Sequence, residues 1–168
     1  MWHNAYLEQA RSDWRAYLAI QGLSLDDCHS LHYLQMTTEK LAKAMFLARD
    51  VNIRKTRTSH KAFLRFLQLA ARHPALPHKF NMPAKQFLEF VKSLWPLATA
   101  IEQLAPALAP DGPNAEYPWE EPSGAIQAPA SYPFPAAMKL KQPTGRKLLR
   151  LIKALLDQFE YLFVKKTG

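Results

Sequence analysis

His32, Gln35, Glu39 and Lys43 stand three and four residues apart, so in a helix they line one face. A histidine changes charge near neutral pH and can give or take a proton. A carboxylate four residues before a lysine can form an ion pair along the helix. The stripe has two readings. Either it builds an internal polar network or lines a nucleotide cleft, or it is a solvated face whose Glu39–Lys43 pair contributes a few tenths of a kcal/mol. His29 and His32 have ligand-like spacing on the same helix, but no acidic or cysteine partners cluster with them, so no metal is expected. There is no glycine-rich phosphate loop and no serine-nucleophile motif, so no cofactor is expected either.

The elements that must carry these residues are helical. Glycine occurs five times, and apolar residues recur with a 3.6-residue period over long stretches, which argues against a sheet protein. A first helix is predicted from Trp2 to Gln21, with Trp2, Ala5, Tyr6, Ala10, Trp14, Tyr17 and Leu18 on one face. Gly22 ends it. Ser24 is the expected N-cap of a second helix running to about Arg49, with Asp27 three residues on. Leu31, Leu34, Leu41, Met45 and Phe46 form its core stripe. After a basic loop, Thr58 or Ser59 is expected to cap a third helix through Phe63, Phe66, Leu67 and Ala70, stopping before Pro74. Pro83 opens a fourth, through Phe87, Val91, Leu94 and Ile101, with a kink or a break at Pro96.

From about Ala109 to Pro143 prolines punctuate the chain. A connection of this length is usually functional or disordered, but Tyr117, Trp119, Ile126, Tyr132 and Phe134 favour an ordered, extended wrap pinned to the bundle. Thr144 then caps a last helix to about Lys165. Leu148, Leu151, Ile152, Leu155 and Phe159 give it an apolar face, and Arg146, Lys147, Arg150 and Lys153 a basic one. Such a helix can lie on a membrane, but closing a bundle is the favoured reading.

The chain has 168 residues, of which 48% are hydrophobic, which suits one all-α domain with a substantial core. The net charge is +8. That excess points either to an anionic partner such as RNA, DNA, a nucleotide or an acidic protein, or to a solubilising surface. The single cysteine, Cys28, cannot form an internal disulfide. The N-terminal residues have no apolar core of signal-peptide type. No stretch approaches the roughly 20 apolar residues of a membrane span. A cytoplasmic protein without a membrane partner is the expectation.

Several of these residues recur in a recognisable arrangement. An N-terminal helix carries Ala10-Arg11-Ser12-Asp13-Trp14. The second carries His32-Tyr33-Leu34-Gln35-Met36-Thr37-Thr38-Glu39-Lys40-Leu41-Ala42-Lys43-Ala44. Thr58-Ser59-His60-Lys61 opens the next. This resembles bacterial members of the HEPN superfamily (higher eukaryotes and prokaryotes nucleotide-binding). In these a helix of the type His-x-x-Gln-x-x-x-Glu-Lys-x-x-Lys-Ala is followed by a Thr-His pair. The resemblance covers about the first seventy residues closely, and the Pro-rich insert departs from the minimal family pattern. It implies an up-and-down bundle of four or five helices, often a homodimer, with Glu39 and Lys40 buried or between helices. Many members are metal-independent ribonucleases of toxin–antitoxin, phage-defence or RNA-processing systems. Others sit without known catalysis beside a small nucleotidyltransferase.

The nuclease members use an Arg-x4–6-His motif, which Arg54 and His60 match with five residues between them. RNA cleavage needs a base for the 2′-hydroxyl proton and an acid for the leaving 5′ oxygen, and a histidine can serve as either. Arginine can steady charge on the phosphoryl transition state through paired donors. At a helix N-terminus His60 would also lie beside free backbone N–H groups that favour phosphate. On this reading Arg54 and His60 are catalytic, while Arg57, Lys61, His32, Glu39 and Lys43 bind RNA or nucleotide. The other reading makes Thr58-Ser59-His60 a helix cap with an exposed histidine and the protein a non-catalytic module that partners a nucleotidyltransferase, another defence protein or an antitoxin. Arg72 and His78 form a second match to the spacing.

Overall fold

The computed structural model describes residues 1–49 and 62–164. Among the described residues the protein is mostly helical, with one small two-stranded sheet. Helix α1 spans Trp2–Gln21 and buries Leu7, Ala10 and Tyr17 together with His3 and Asp13. Gly22 closes it at φ −88°. That is right-handed backbone, so the position does not use glycine's special freedom.

Helix α2, Asp27–Ala48, is the axis of the molecule. Every residue from Leu41 to Leu47 is buried, because α2 meets α1 on one side and later elements on the others. Its N-cap position is Asp26 rather than Ser24. The capping box expected at Ser24 does not form, and the chain from Gly22 to Asp26 leads into the helix with Leu23 and Leu25 exposed.

Helix α3, Phe63–Ala70, buries Phe63, Phe66, Leu67 and Ala70, the helical repeat that predicts it. The caps expected at Thr58 or Ser59 lie outside the described residues. A one-turn helix, α4 (Leu76–Lys79), follows with Pro77 in its first turn, where a missing N–H is harmless. The Pro and His residues of this stretch suggest a loop. Helix α5, Ala84–Glu102, runs through Pro96 as one element rather than as two segments. Pro96 is exposed, while Phe87, Val91, Leu94, Ala98 and Ile101 face the core.

The Pro-rich stretch carries structure of its own. β1 (Trp119–Glu120) pairs antiparallel with β2 (Ile126–Gln127), Trp119 opposite Gln127. Gly124 turns between them at φ 83°, left-handed backbone that glycine adopts without strain. A 3-10 turn at Pro129–Ser131 leads to α6, Pro135–Leu140. The Tyr132 ring stands edge-on to Trp119 at 4.9 Å and to Phe134 at 5.0 Å. Trp119, Phe134 and Leu140 belong to the same hydrophobic core as the helices.

Helix α7 spans Pro143–Asp157 with Gln142 at its N-cap, so Pro143 rather than Thr144 begins the helix. Gly145 is required. A Cβ there would lie 2.3 Å from the Leu140 Cα and carbonyl oxygen, and only glycine lets α6 and α7 approach so closely. The expected final helix is divided. After Gln158 the chain restarts as α8, Phe159–Phe163, whose Phe163 packs edge-on to Phe66 at 5.5 Å. No helix among the described residues is long and apolar enough to cross a membrane.

Candidate functional site

The polar stripe of α2 is not a solvated face. Gln35 is 3% exposed and Lys43 5%, since both flanks of the stripe carry core residues such as Leu31, Leu34 and Ala42. Glu39 organises it. Its Oε2 accepts from Gln35 Nε2 at 2.9 Å and its Oε1 from Lys43 Nζ at 2.7 Å. Buried charges are tolerated when paired and hydrogen-bonded, and this spacing lets one helix supply both partners.

A second, partly buried pair joins two helices. Lys40 Nζ donates to Asp13 Oδ2 at 2.6 Å, and Gln9 Nε2 donates to Asp13 Oδ1 at 2.9 Å. The Asp13 side chain is 8% exposed and that of Lys40 17%. The stripe along α2 and the bridge to α1 together form a polar seam through an otherwise apolar core. Thr37 and Thr38 add no unsatisfied groups to it, because their hydroxyls donate to the Tyr33 and Gln35 carbonyls at 2.8 and 2.9 Å.

His32, one turn before Gln35, looks elsewhere. Its Nδ1 lies 3.4 Å from Glu116 Oε1 but makes no hydrogen bond among the described residues. Glu116 is held there by Asn114. The buried Asn114 side chain accepts from the backbone N–H groups of Glu116 at 3.0 Å and Tyr117 at 2.7 Å, a local turn that asparagine favours. The Pro-rich segment therefore covers the N-terminal end of the stripe. His29 is exposed, and among the described residues no group of three or more His, Cys, Asp or Glu side chains is arranged to hold a metal ion.

Of the sequence-predicted site residues, Glu39 and Lys43 are thus in direct contact, and His32 shares their face with a different neighbour. Arg54, Arg57, His60 and Lys61 lie outside the described residues. Arg72 and His78 of the second spacing match are both exposed, one beyond the end of α3 and the other in α4.

The sequence reading passed over three features. Glu102, buried at the end of α5, accepts from the Phe63 N–H at 2.7 Å and the Leu64 N–H at 3.3 Å, so its carboxylate sits at the positive end of α3. No local pattern reveals a cap supplied from 39 residues away. Arg11 forms a two-pronged ion pair with Glu160 at 2.9 and 3.0 Å and also donates to the Leu156 carbonyl. That hydrogen-bonded pair holds the Glu160 carboxyl below its usual range. A groove between α3 and α5, lined by Arg65, Arg72, Lys92 and Trp95, is the third. Burial pushes the Tyr17 phenol up to about 12, and raises the Cys28 thiol, with the Asp26 charge adding to it.

No family model, curated protein or solved structure matches the chain.

Proposed function

We propose that this chain is a HEPN-like RNA- or nucleotide-binding protein, an up-and-down bundle of about five helices with a long Pro-rich connection before the last. The observation that supports it is the seam. Of the residues that carry the resemblance, Gln35 and Lys43 are buried and Glu39 and Lys40 partly buried, and all four are paired, Lys40 to Asp13 of the N-terminal motif. A polar signature kept inside a core is costly unless it organises something, and the Lys40–Asp13 bridge ties α1 to α2. The net charge of +8 suits a polyanionic partner. In its enzymatic form the protein is a metal-independent ribonuclease of a toxin–antitoxin or phage-defence system, with Arg54 and His60 as the catalytic pair, working in the cytoplasm as a homodimer.

The experiment is incubation of purified protein with total RNA in the presence of EDTA, beside His60→Ala. Cleavage by the wild type that is lost in the variant supports the enzymatic form. Cleavage by neither, with RNA still bound, leaves a binding protein. Absence of binding as well would overturn the proposal.

A second reading is favoured by one observation. Tyr117, Ile126 and Met138 project from the ordered Pro-rich segment with 60, 70 and 65% of their surface exposed. A contiguous exposed apolar patch marks an interaction surface, and these three side chains are the candidates for one on this segment. On this reading the protein is a non-catalytic module partnering a nucleotidyltransferase or an antitoxin. Recovery of a specific partner from the native host, lost in Ile126→Asp, would support it. Recovery unaffected by that substitution would count against it.

A further inference from the structure

The groove between α3 and α5 is built by two helical faces set side by side. From the α3 side come Arg65, Leu69 and Arg72, and from α5 come Leu88, Lys92 and Trp95, each set at intervals of three, four or seven residues. These are the spacings of one helix face. The groove has a volume of about 420 Å³, within the range of small-ligand sites. Three of its lining side chains are cationic and none is acidic.

The cations have little to hold them. Arg72 is exposed and its side chain makes no hydrogen bond or ion pair among the described residues. Lys92 pairs with Glu89 at 2.8 Å, but both side chains are more than a third exposed, so the pair is weak and exchangeable. The Arg65 guanidinium lies over the Phe46 ring, 5.2 Å from its centroid. That contact orients it and leaves its N–H edges for an acceptor. Between the cations lie Leu69, Leu88 and Trp95, and the Trp95 indole N–H is buried without an acceptor among the described residues. Buried donors are rarely left unpaired, and a ligand oxygen drawn into the groove could satisfy this one after a small side-chain shift.

We propose that this groove binds a nucleotide unit, either free or within single-stranded RNA, with its phosphate held by Arg65, Arg72 and Lys92 and its base laid against Leu69, Leu88 and Trp95. Cations bordering an aromatic and aliphatic floor are the recurring chemistry of single-strand recognition. An acidic peptide would use the cations but leave the floor without a partner. The site rests on the nucleic-acid-binding reading above and gives it a location distinct from Arg54 and His60.

The test is fluorescence anisotropy of a short labelled single-stranded RNA with the full chain at low salt, alongside direct binding of AMP. In Arg72→Glu and in the double variant Arg65→Ala/Arg72→Ala, affinity for RNA, for AMP or for both is expected to fall by about tenfold or more. A thermal melt checks that both variants remain folded, and Arg72→Glu stands on its own if Arg65→Ala disturbs the Phe46 contact. Lys153→Glu, exposed on α7, is expected to keep its affinity within about twofold. If the wild type binds RNA but the folded groove variants bind equally well, the groove is wrong and the nucleic-acid reading survives. The groove also falls if Lys153→Glu weakens binding as much as Arg72→Glu does, or if polyglutamate displaces the RNA as well as unlabelled RNA does. If the wild type binds neither RNA nor AMP, both proposals fall.

Discussion

Between α1 and α2, Lys40 reaches Asp13 at 2.6 Å with both side chains mostly buried; beside α3, Arg72 stands exposed with no charged partner among the described residues. Both regions carry cationic side chains at helical spacing, but the seam sets carboxylates beside them and the lining of the groove holds none. The seam sets each of its cations against a carboxylate, so the charges help to build the fold. The groove leaves its positive charge facing solvent, where an anion can use it. The difference lies in what packs against each face, since α1 closes over one side of α2 whereas nothing among the described residues covers the line where α3 meets α5. A charged stripe in sequence therefore acquires its meaning from its tertiary neighbour.

The largest effect is expected in the seam. Asp13→Ala leaves the Lys40 ammonium partly buried without its carboxylate and should lower stability by about 3 kcal/mol in chemical denaturation. The double replacement Asp13→Leu/Lys40→Met removes both charges and should recover to within about 1 kcal/mol of the wild type. A double variant as unstable as Asp13→Ala would mean that the ion pair itself, rather than avoidance of a lone buried charge, holds α1 to α2. Glu102→Ala comes next. It strips the carboxylate from the start of α3 and should cost about 2 kcal/mol. Because α3 forms one wall of the groove, it should also weaken nucleotide binding.

Tyr17 gives the seam helix α1 a dependence on alkaline pH. Its phenol titrates near 10 in the unfolded chain and at about 12 in the folded one. The native state therefore holds the proton longer, so stability is full below pH 10 and falls as pH rises toward 12, by on the order of 2 kcal/mol. Tyr17→Phe should flatten that limb of the stability–pH curve. Glu160 acts in the opposite sense and more weakly. Its lowered carboxyl stabilises the fold above the unfolded carboxylate range, and that contribution is lost as pH falls through the folded value. Glu160→Gln should remove less than about 1 kcal/mol, because the pair with Arg11 is largely exposed. Smallest of all, Arg72→Ala should change stability by no more than about 0.5 kcal/mol, in keeping with a side chain that serves a ligand rather than the fold.

How much of this was legible beforehand depends on the range of the interaction. The apolar period placed the core residues Phe63, Phe66 and Phe87 correctly, because one helix face against one core is a local pattern. The expected limits of α1 also match, but its face is shifted, since Trp2, Ala5 and Leu18 are exposed while His3, Leu7 and Asp13 are buried. The start of α2 was misplaced, since Ser24 has the composition of a cap, yet Asp26 takes the position. Pro77 and Pro135 read as loop signals, although proline fits a first helical turn and each stands in the first turn of a short helix. Strands of two residues are too short to show a period. At the site, the spacing of Gln35, Glu39 and Lys43 announced a stripe but not its burial, which depends on tertiary neighbours. Glu116 beside His32, Glu102 beneath α3 and the groove are all long-range pairings, and single-chain periodicity does not contain them.

The most direct test of this division between structural and functional charge is the salt dependence of RNA affinity in three proteins, namely the wild type, the seam variant Asp13→Leu/Lys40→Met and the groove variant Arg72→Ala. The wild type and the folded seam variant should share one slope of log affinity against log salt, and Arg72→Ala should be shallower by about 0.7, the loss of one phosphate contact on a single strand. A wild type that does not bind, or a slope that changes in the seam variant while Arg72→Ala keeps the wild-type value, would contradict it.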